Sequence, residues 1–238
     1  MQDFEGQVAV VTGAASGIGS ALAARAAAEV QALADAVYRE LGGAHLLFNN
    51  AGVLATGLCW ERPASDWEWV LGVNLWGVIH GIRAFVPRMI ASQEPAHVVN
   101  TASVAGLVSG PFLGPYTVSK HAVVALTETL HHELTLTGAP VRASVLCPGE
   151  VRTAIMDAAR NRPKRPAGDA TANPALAALE ESLRESVRRG LEPDELADEV
   201  FRSVREDRFW ILTHPEWKTR AEDRVRGLVE GRSPVFEP

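Results

Sequence analysis

The sequence predicts an α/β fold, a parallel sheet with helices on both faces, within one domain. Short, mostly apolar runs bounded by Gly, Pro or Asn recur along the chain, and stretches with apolar residues at helical spacing separate them. Alternating strands and helices form right-handed βαβ units, so the strands are expected to lie parallel in a three-layer α/β/α arrangement. The length of 238 residues suits a single domain over residues 1–238.

Five runs have the composition of buried strands. The first, at the start of the chain, is β-branched and leads into a glycine, as expected of a strand covered on both faces. The predicted strands are Gln7–Thr12, His45–Asn49, His97–Ser103, Val141–Cys147 and Phe209–Thr213.

Helices are expected between these strands. Ser65–Ser92 opens with Ser65 and Glu68 at the spacing of a capping box. Pro115–Thr137 carries apolar residues at helical spacing, and Gly138 is placed as its C-terminal stop. A Pro- and charge-rich loop follows, and then three amphipathic helices; these segments are Arg160–Pro174, Ala175–Arg189, Pro193–Glu206 and Trp217–Glu230.

Composition excludes several classes of function. The net charge of -6 gives no general attraction to nucleic acid or to an anionic membrane. Cys59 and Cys147 are the only cysteines, so the sequence indicates neither a disulfide framework nor a cysteine zinc site. The first residues are polar, and no apolar run approaches the ~18 residues of a membrane span. We expect a cytoplasmic protein that binds neither nucleic acid nor membrane.

A glycine-rich segment, Thr12–Gly19, lies between the first strand and a helix. A phosphate group needs backbone N–H groups and a helix N-terminus aimed at it, and side chains would block its approach. A plain turn of small residues is the alternative, but the position after the first strand favours a nucleotide site. The sequence therefore predicts a Rossmann-like, doubly wound sheet that binds a dinucleotide.

The second strand of such a fold is missing from the sequence. From Gly17 to Leu41 the 25 residues are alanine-rich and helical in pattern, and one helix of that length would measure ~37 Å. A strand of ~6 residues spans only ~20 Å, so the helix would overshoot the sheet. Two helices joined near Glu29–Val30 fit better, with a strand–helix–strand piece of ~30 residues absent. Either the protein has lost this piece or the sequence as given lacks it; the second is favoured.

Tyr116 and Lys120 are four residues apart at the start of a predicted helix and share one face. An ammonium group beside a tyrosine stabilises the phenolate and so lowers its pKa, which suits a general acid/base. A surface cation–π contact is the alternative. Ser103 ends a strand at the edge where α/β sheets bind ligands, although a serine there also commonly caps a turn.

Polar amides end another strand, in the segment Asn49–Gly52, and Asn74 lies within a helix among apolar neighbours. A mid-helix asparagine in such surroundings is costly unless it bonds to a specific partner. Together these features resemble the short-chain dehydrogenase/reductase family. The resemblance rests on Thr12–Gly19, Asn49–Gly52, Asn74, Ser103, Tyr116, Lys120 and the Pro148–Gly149 pair, in the family's order.

The resemblance implies roles for these residues. Tyr116 would exchange a proton with the substrate, Ser103 would bind the substrate oxygen, Lys120 would hold the nicotinamide ribose, and Asn74 would support a water in the proton relay. The resemblance further implies cofactor contacts at Gly13, Ser16, Ile18, Gly19, Asn50, Ala51, Gly52, Tyr116, Lys120, Pro148, Gly149, Val151 and Thr153.

The activity implied is an NAD(P)-dependent interconversion of a secondary alcohol and a ketone or aldehyde. The choice between NAD and NADP is not determined, because the end of the second strand, which would decide it, is absent from the sequence. Ser16 favours NAD. The alternative is a non-catalytic dinucleotide-sensing or interaction protein on the same scaffold. The resemblance also implies a homotetramer or dimer formed through the helices Ser65–Ser92 and Pro115–Thr137.

Two further features of the sequence each have two possible interpretations. Residues 154–206 are interpreted as a substrate lid with its helices, and the basic run within them could equally be a surface loop. Four tryptophans cluster around one helix, where core or subunit packing is favoured over a substrate wall. They are Trp60, Trp67, Trp69 and Trp76.

Overall fold

A computed structural model describes residues 3–13, 23–162 and 173–236. In these ranges five parallel strands form one sheet, in the order in which they occur along the chain. Each predicted strand is present, and its ends fall within two residues of the prediction. The strands are β1 (Ala9–Val11), β2 (Leu46–Asn49), β3 (Ala96–Thr101), β4 (Val141–Cys147) and β5 (Trp210–Leu212).

The helices also lie where they were predicted, apart from their ends. They are α1 (Ala23–Leu41), α2 (Ala64–Leu71), α3 (Gly77–Ser92), α4 (Gly114–Leu136), α5 (Pro174–Arg189), α6 (Pro193–Arg205) and α7 (Glu216–Val229). Gly138 stops α4 as expected. It adopts a left-handed φ of 65°, and the next N–H, of Ala139, closes the turn onto Leu134 O at 3.0 Å.

The sheet lies between two helical layers. On one face α1, α3 and α4 pack around the fully buried Phe85 and Met89. On the other face α6 packs Val200 and Val204 against the sheet beside Ile211. The three-layer, Rossmann-like α/β/α fold in a single domain is therefore confirmed.

A π-helical turn, Gly72–Trp76, interrupts the helix predicted over residues 65–92 and separates α2 from α3. The capping box predicted at Ser65 and Glu68 is wrong. The helix begins one residue earlier, and Pro63 occupies the N-cap position with extended backbone and no side-chain hydrogen bond. Ser65 therefore lies inside the first turn, where it cannot act as the cap.

The helical stretch Ala64–Ser92 passes the length and composition test for a membrane span, with a mean hydropathy of 1.3 over 18 residues. The expectation that no apolar stretch reaches that length is thus not met. Of this window 44% is buried inside the protein, and Val78, Phe85 and Met89 belong to its core clusters. A core helix meets the same test, and these three residues of the stretch pack in the core.

A single helix crosses the position where two were predicted to join. α1 continues unbroken through Glu29–Val30, because no Gly or Pro interrupts it and Ala34 and Val37 continue one buried stripe. The predicted join is wrong. In the described part of the chain no strand lies beyond β1, which forms the edge of the sheet with Val11 47% exposed. This agrees with the predicted absence of a second strand.

Candidate active site

The carboxyl ends of the strands open into one cleft of about 2970 Å³, at the edge where parallel sheets bind ligands. The cleft brings together predicted residues from four separate loops and one helix. They are Gly13, Asn50, Ala51, Gly52, Ser103, Tyr116, Lys120, Pro148, Gly149, Val151 and Thr153. The predicted phosphate contacts Ser16, Ile18 and Gly19 lie outside the described residues.

Thr12 joins the loops that follow β1 and β2. Its Oγ1 accepts hydrogen bonds from the N–H groups of Asn50 and Ala51, at 3.0 and 3.4 Å. Gly13 takes a φ of 76°, and a Cβ there would lie 2.6 Å from the Cα of Ala51. Position 13 therefore requires glycine both for its conformation and for this close approach.

Asn74 lies in the π turn, fully buried, and connects the loop after β2 to α4. Its Oδ1 accepts from Val53 N at 2.8 Å, and its Nδ2 donates to Val53 O and to Ser119 Oγ, each at 3.0 Å. Ser119 Oγ in turn donates to the main-chain oxygen of Tyr116 at 2.7 Å. These bonds explain why a helix tolerates an asparagine here, and they fix the turn of α4 that carries Tyr116.

Lys120 is a buried residue of α4 and is only 3% exposed. Its Nζ donates to Thr101 O, at the end of β3, at 2.9 Å and lies 5.6 Å from the centroid of the Tyr116 ring. Burial lowers the pKa of Lys120 to about 8. The alternative of a surface contact between Tyr116 and Lys120 is therefore wrong.

The pKa of Tyr116 is raised above its ordinary value, which is opposite to the predicted lowering. Burial is the largest cause, because it disfavours the phenolate. Hydrogen bonding by the Ser103 hydroxyl lowers the pKa and offsets part of this effect. Desolvation of the phenolate therefore outweighs the hydrogen bond from Ser103 in setting the pKa of Tyr116.

Ser103 follows β3 and acts as a cap, as one of its two interpretations predicted; binding of a substrate oxygen stays a prediction. Its Oγ accepts from Ala105 N at 3.2 Å and so caps the short 3₁₀ helix Val104–Gly106. The same hydroxyl donates to Pro148 O at 3.4 Å and lies close enough to Tyr116 to lower the pKa of its phenol. The Ser103 hydroxyl is thus held at the end of β3, in the cleft and close to Tyr116.

The segment after β4 is held by main-chain bonds on both sides. Pro148 O accepts from Val104 N at 2.9 Å, and Glu150 O accepts from Leu191 N at 2.9 Å. Sequence reasoning missed a third support, His214, which bonds to Gly149 N at 3.1 Å and to Glu150 O at 3.0 Å. Its position just after the fifth predicted strand was the available signal, because that strand ends at the same edge of the sheet.

The tryptophan cluster does not line the cleft. Trp69 is buried in a core cluster at 2% exposed, whereas Trp60 is 79% exposed. Trp67 packs beside Gly114 at the start of α4. For Trp69 the core interpretation is confirmed, and the substrate-wall interpretation is wrong for the group.

Comparisons with known proteins agree with this geometry. A short chain dehydrogenase/reductase from Burkholderia phymatum, solved in complex with NAD, superposes with a TM-score of 0.85 and 47% identity over 89% of this chain and 76% of that one. The CLA biosynthesis dehydrogenase/reductase of Lactiplantibacillus plantarum is 30% identical over 98% of this chain and 97% of its own length. The 1-deoxy-11-beta-hydroxypentalenate dehydrogenase of Streptomyces avermitilis is 35% identical over 92% and 89%.

The alignment with the Lactiplantibacillus plantarum protein also bears on the missing strand. It spans 277 positions, and this chain has 238 residues, so at least 39 positions of the relative have no counterpart here. That difference is of the size expected for the absent strand–helix–strand piece.

The sequence profile described as short chain dehydrogenase matches residues 24–164 of this chain. This range includes Ser103, Tyr116 and Lys120, which line the cleft, and Asn74, which is buried and bonds to Val53 and to Ser119 of α4. Profile, relatives and fold agree: the chain belongs to the short-chain dehydrogenase/reductase family of oxidoreductases.

Proposed function

We propose that the protein is a nicotinamide-dependent oxidoreductase that interconverts a secondary alcohol and a ketone or aldehyde, with Tyr116 as the general acid/base. One observation carries the proposal. Tyr116 lines the cleft at the strand ends, close to Ser103 and to the buried Lys120 ammonium. A proton donor and acceptor, an oxygen-binding group and a fixed positive charge are what carbonyl reduction requires of a protein.

The residues around Lys120 fit the ribose of a nicotinamide nucleotide. The ammonium has three N–H donors, and Thr101 O accepts from it at 2.9 Å, which leaves donors for sugar hydroxyl groups. A Cβ on Gly52 would lie 3.7 Å from Lys120 Nζ, so glycine keeps the approach to this group open. A bound nicotinamide supplies the hydride acceptor or donor; the chain provides orientation and the proton.

Tyr116 takes the hydroxyl proton during oxidation and returns it to the carbonyl oxygen during reduction. Its raised pKa keeps the phenol protonated at neutral pH, so reduction starts from the correct form. Oxidation needs the phenolate and is expected to be favoured by alkaline pH. Ser103 holds the substrate oxygen near the tyrosine, and Asn74 supports the turn of α4 that carries it.

The experiment compares the two tyrosines of the chain. Tyr116→Phe should abolish turnover of secondary alcohols and ketones while leaving binding of NADH nearly intact. Tyr38→Phe is the matched control, because Tyr38 lies in α1 and packs against Arg88 and Phe85. Turnover is followed by nicotinamide absorbance and binding by fluorescence titration. Retained turnover in Tyr116→Phe would contradict the proposal.

NAD is the proposed cofactor, supported by the NAD complex of the Burkholderia phymatum relative and by Ser16 in the predicted phosphate loop. Titration of the same preparation with NADH and NADPH tests this preference. A second function, non-catalytic dinucleotide sensing, is favoured by the missing second strand. It predicts cofactor binding without turnover of any alcohol or ketone.

The substrate is proposed to carry apolar bulk. Leu179 and Leu183 of α5 line the cleft. α5 is held there by hydrogen bonds from Thr56 to Glu180 and from Arg184 to Asp157. We therefore propose that residues 154–206 act as the substrate lid, and that KM falls as the apolar group of the alcohol grows.

A homotetramer or dimer is proposed as the functional state. The two helices assigned to the interface by family resemblance carry exposed apolar side chains: Trp76, Val118 and Leu136, at 47%, 48% and 88% exposed. Light scattering coupled to size-exclusion chromatography measures the state directly. Cytoplasmic location and the lack of nucleic-acid or membrane partners stay predictions.

A further inference from the structure

His214 spans two residues of the segment that follows β4. Its Nδ1 accepts from Gly149 N–H at 3.1 Å, so the neutral ring carries its proton on Nε2. Nε2 then donates to Glu150 O at 3.0 Å. One imidazole therefore fixes an N–H on one side of this backbone turn and a carbonyl on the other.

The contact is close enough to restrict position 149. A Cβ there would lie 2.7 Å from Cγ of the His214 ring, so the glycine and the histidine are matched to one another. The two groups bonded to His214 differ in whether they have a second hydrogen-bond partner. Glu150 O has a second donor in Leu191 N at 2.9 Å, whereas among the described residues Gly149 N–H bonds to His214 alone.

We propose that His214 is a positioning residue that sets the affinity for the nicotinamide cofactor by orienting the Gly149–Glu150 backbone. The inference rests on the proposed function and on the family resemblance, which implies that Val151 and Thr153 contact the cofactor. These two residues follow the fixed turn directly. Val151 also pairs with Leu191, and Arg152 N donates to Leu191 O at 2.9 Å, so loss of His214 is expected to shift the turn and weaken the cofactor contacts in the cleft rather than to release the whole segment.

The side chains around His214 could also form a cation site, but the ring nitrogens are already hydrogen-bonded. Carboxylate oxygens of Glu150 and Glu216 and a nitrogen of His214 all lie within 4.8 Å of one another, an arrangement that could attract a cation. Both ring nitrogens already bond to the main chain, and Thr213 Oγ1 lies 2.8 Å from Nδ1. A cation could bind the ring only by breaking one of these bonds.

The test uses three substitutions that separate the two bonds. His214→Ala removes both. His214→Asn keeps an acceptor at the position of Nδ1, and His214→Gln keeps a donor at the position of Nε2. The control is His45→Ala, because His45 Nδ1 also accepts a backbone N–H, from Val8 at 3.1 Å, but at the amino ends of the strands.

Dissociation constants for NADH are measured on the full chain by fluorescence, at a temperature where circular dichroism shows each variant folded. We expect His214→Ala to weaken binding about tenfold or more, and His45→Ala to lower the melting temperature without changing affinity. His214→Asn should recover most of the loss, and His214→Gln less, because Gly149 N–H is the group without a second partner.

Unchanged affinity in His214→Ala would overturn the inference, even if that variant melts earlier. If His214→Gln recovered as much NADH affinity as His214→Asn, or more, the bond to Gly149 N–H would not be the important one. Failure of the wild-type chain to bind either NADH or NADPH would overturn the proposed function itself. That result is distinguishable, because it appears before any substitution is made.

Discussion

The ammonium of Lys120 donates to the main-chain oxygen of Thr101 at 2.9 Å, and so joins helix α4 to the end of strand β3. This bond fixes the charge at 5.6 Å from the centroid of the Tyr116 ring. A buried point charge tied to the backbone cannot move away from the cleft. The position of Lys120 is thus set by the fold as well as by the ligand.

Replacing Lys120 should therefore damage cofactor binding and turnover together. For Lys120→Arg, we expect kcat/KM to fall about 100-fold or more, because the planar guanidinium cannot replace a compact ammonium in this site. Lys218→Met on α7 is the control for loss of a lysine elsewhere. The values of kcat/KM are compared by steady-state kinetics with NAD and a secondary alcohol. A wild-type value of kcat/KM in Lys120→Arg would contradict the prediction.

Removing the Ser103 hydroxyl should change both the rate and its pH dependence. The hydroxyl lowers the pKa of Tyr116 against the effect of burial, so Ser103→Ala should raise that pKa further. The alkaline rise of the oxidation rate should then shift to higher pH, and kcat should fall about 100-fold.

Ser103→Thr keeps the hydroxyl group and is the matched control for this experiment. Its pH–rate profile should stay near that of the wild-type chain. A profile of Ser103→Ala with the wild-type midpoint would show that the hydroxyl does not act on Tyr116.

His97 should make the fold sensitive to mild acid. It is buried in β3, and burial lowers its pKa to about 4. Unfolded chains bind the proton near 6.5, so stability is full above that pH and declines as pH falls from 6.5 to 4. The total loss is up to about 3 kcal/mol.

The matched substitution is His97→Gln, which keeps a donor for Ser144 Oγ but cannot titrate. Urea unfolding at several pH values compares the two proteins. The advantage of the wild-type chain over His97→Gln should shrink as pH falls; a constant difference would show that His97 does not cause the acid sensitivity.

Asp66 should be important for stability, because its side chain is completely buried between two arginines. Arg62 lies 3.1 Å away on one side, and Arg162, at the end of the segment that follows Thr153, contacts the other oxygen. Asp66→Asn should lower the free energy of unfolding by about 3–5 kcal/mol, because it leaves the two arginines without their anionic partner.

Asp35 provides the comparison for Asp66. It pairs with Arg88 at the surface, where its side chain is 51% exposed. Asp35→Asn should cost far less, because water screens an exposed pair. Similar losses in the two variants, measured by chemical unfolding, would show that burial of the Asp66 pair does not matter.

The strands and the Tyr116–Lys120 pair could be predicted because their signals are local. A short apolar run between turn residues defines a strand, and a four-residue spacing defines one face of a helix. The same local reasoning predicted the capping box at Ser65, which failed because Pro63 had already begun the helix.

Long-range polar pairing could not be predicted in this way. Asn100 lies inside an apparently apolar strand, yet it is fully buried between Asn49 and Thr127, at hydrogen-bond distances of 2.8 and 3.0 Å. The partners are 51 and 27 residues away, so nothing near Asn100 indicates them. The bonds of His214 to the turn after β4 were missed for the same reason.

The position of β1 at the border of the sheet has a consequence for handling the protein. An uncovered strand border offers hydrogen-bonding groups to any other chain in extended conformation. β1 is only three residues long, which limits such pairing, but the exposed Val11 adds apolar surface beside it. In the described part of the chain no strand covers the outer side of β1, so charged substitutions at Val11, which does not line the cleft, are the first choice for raising solubility, since they would repel incoming strands.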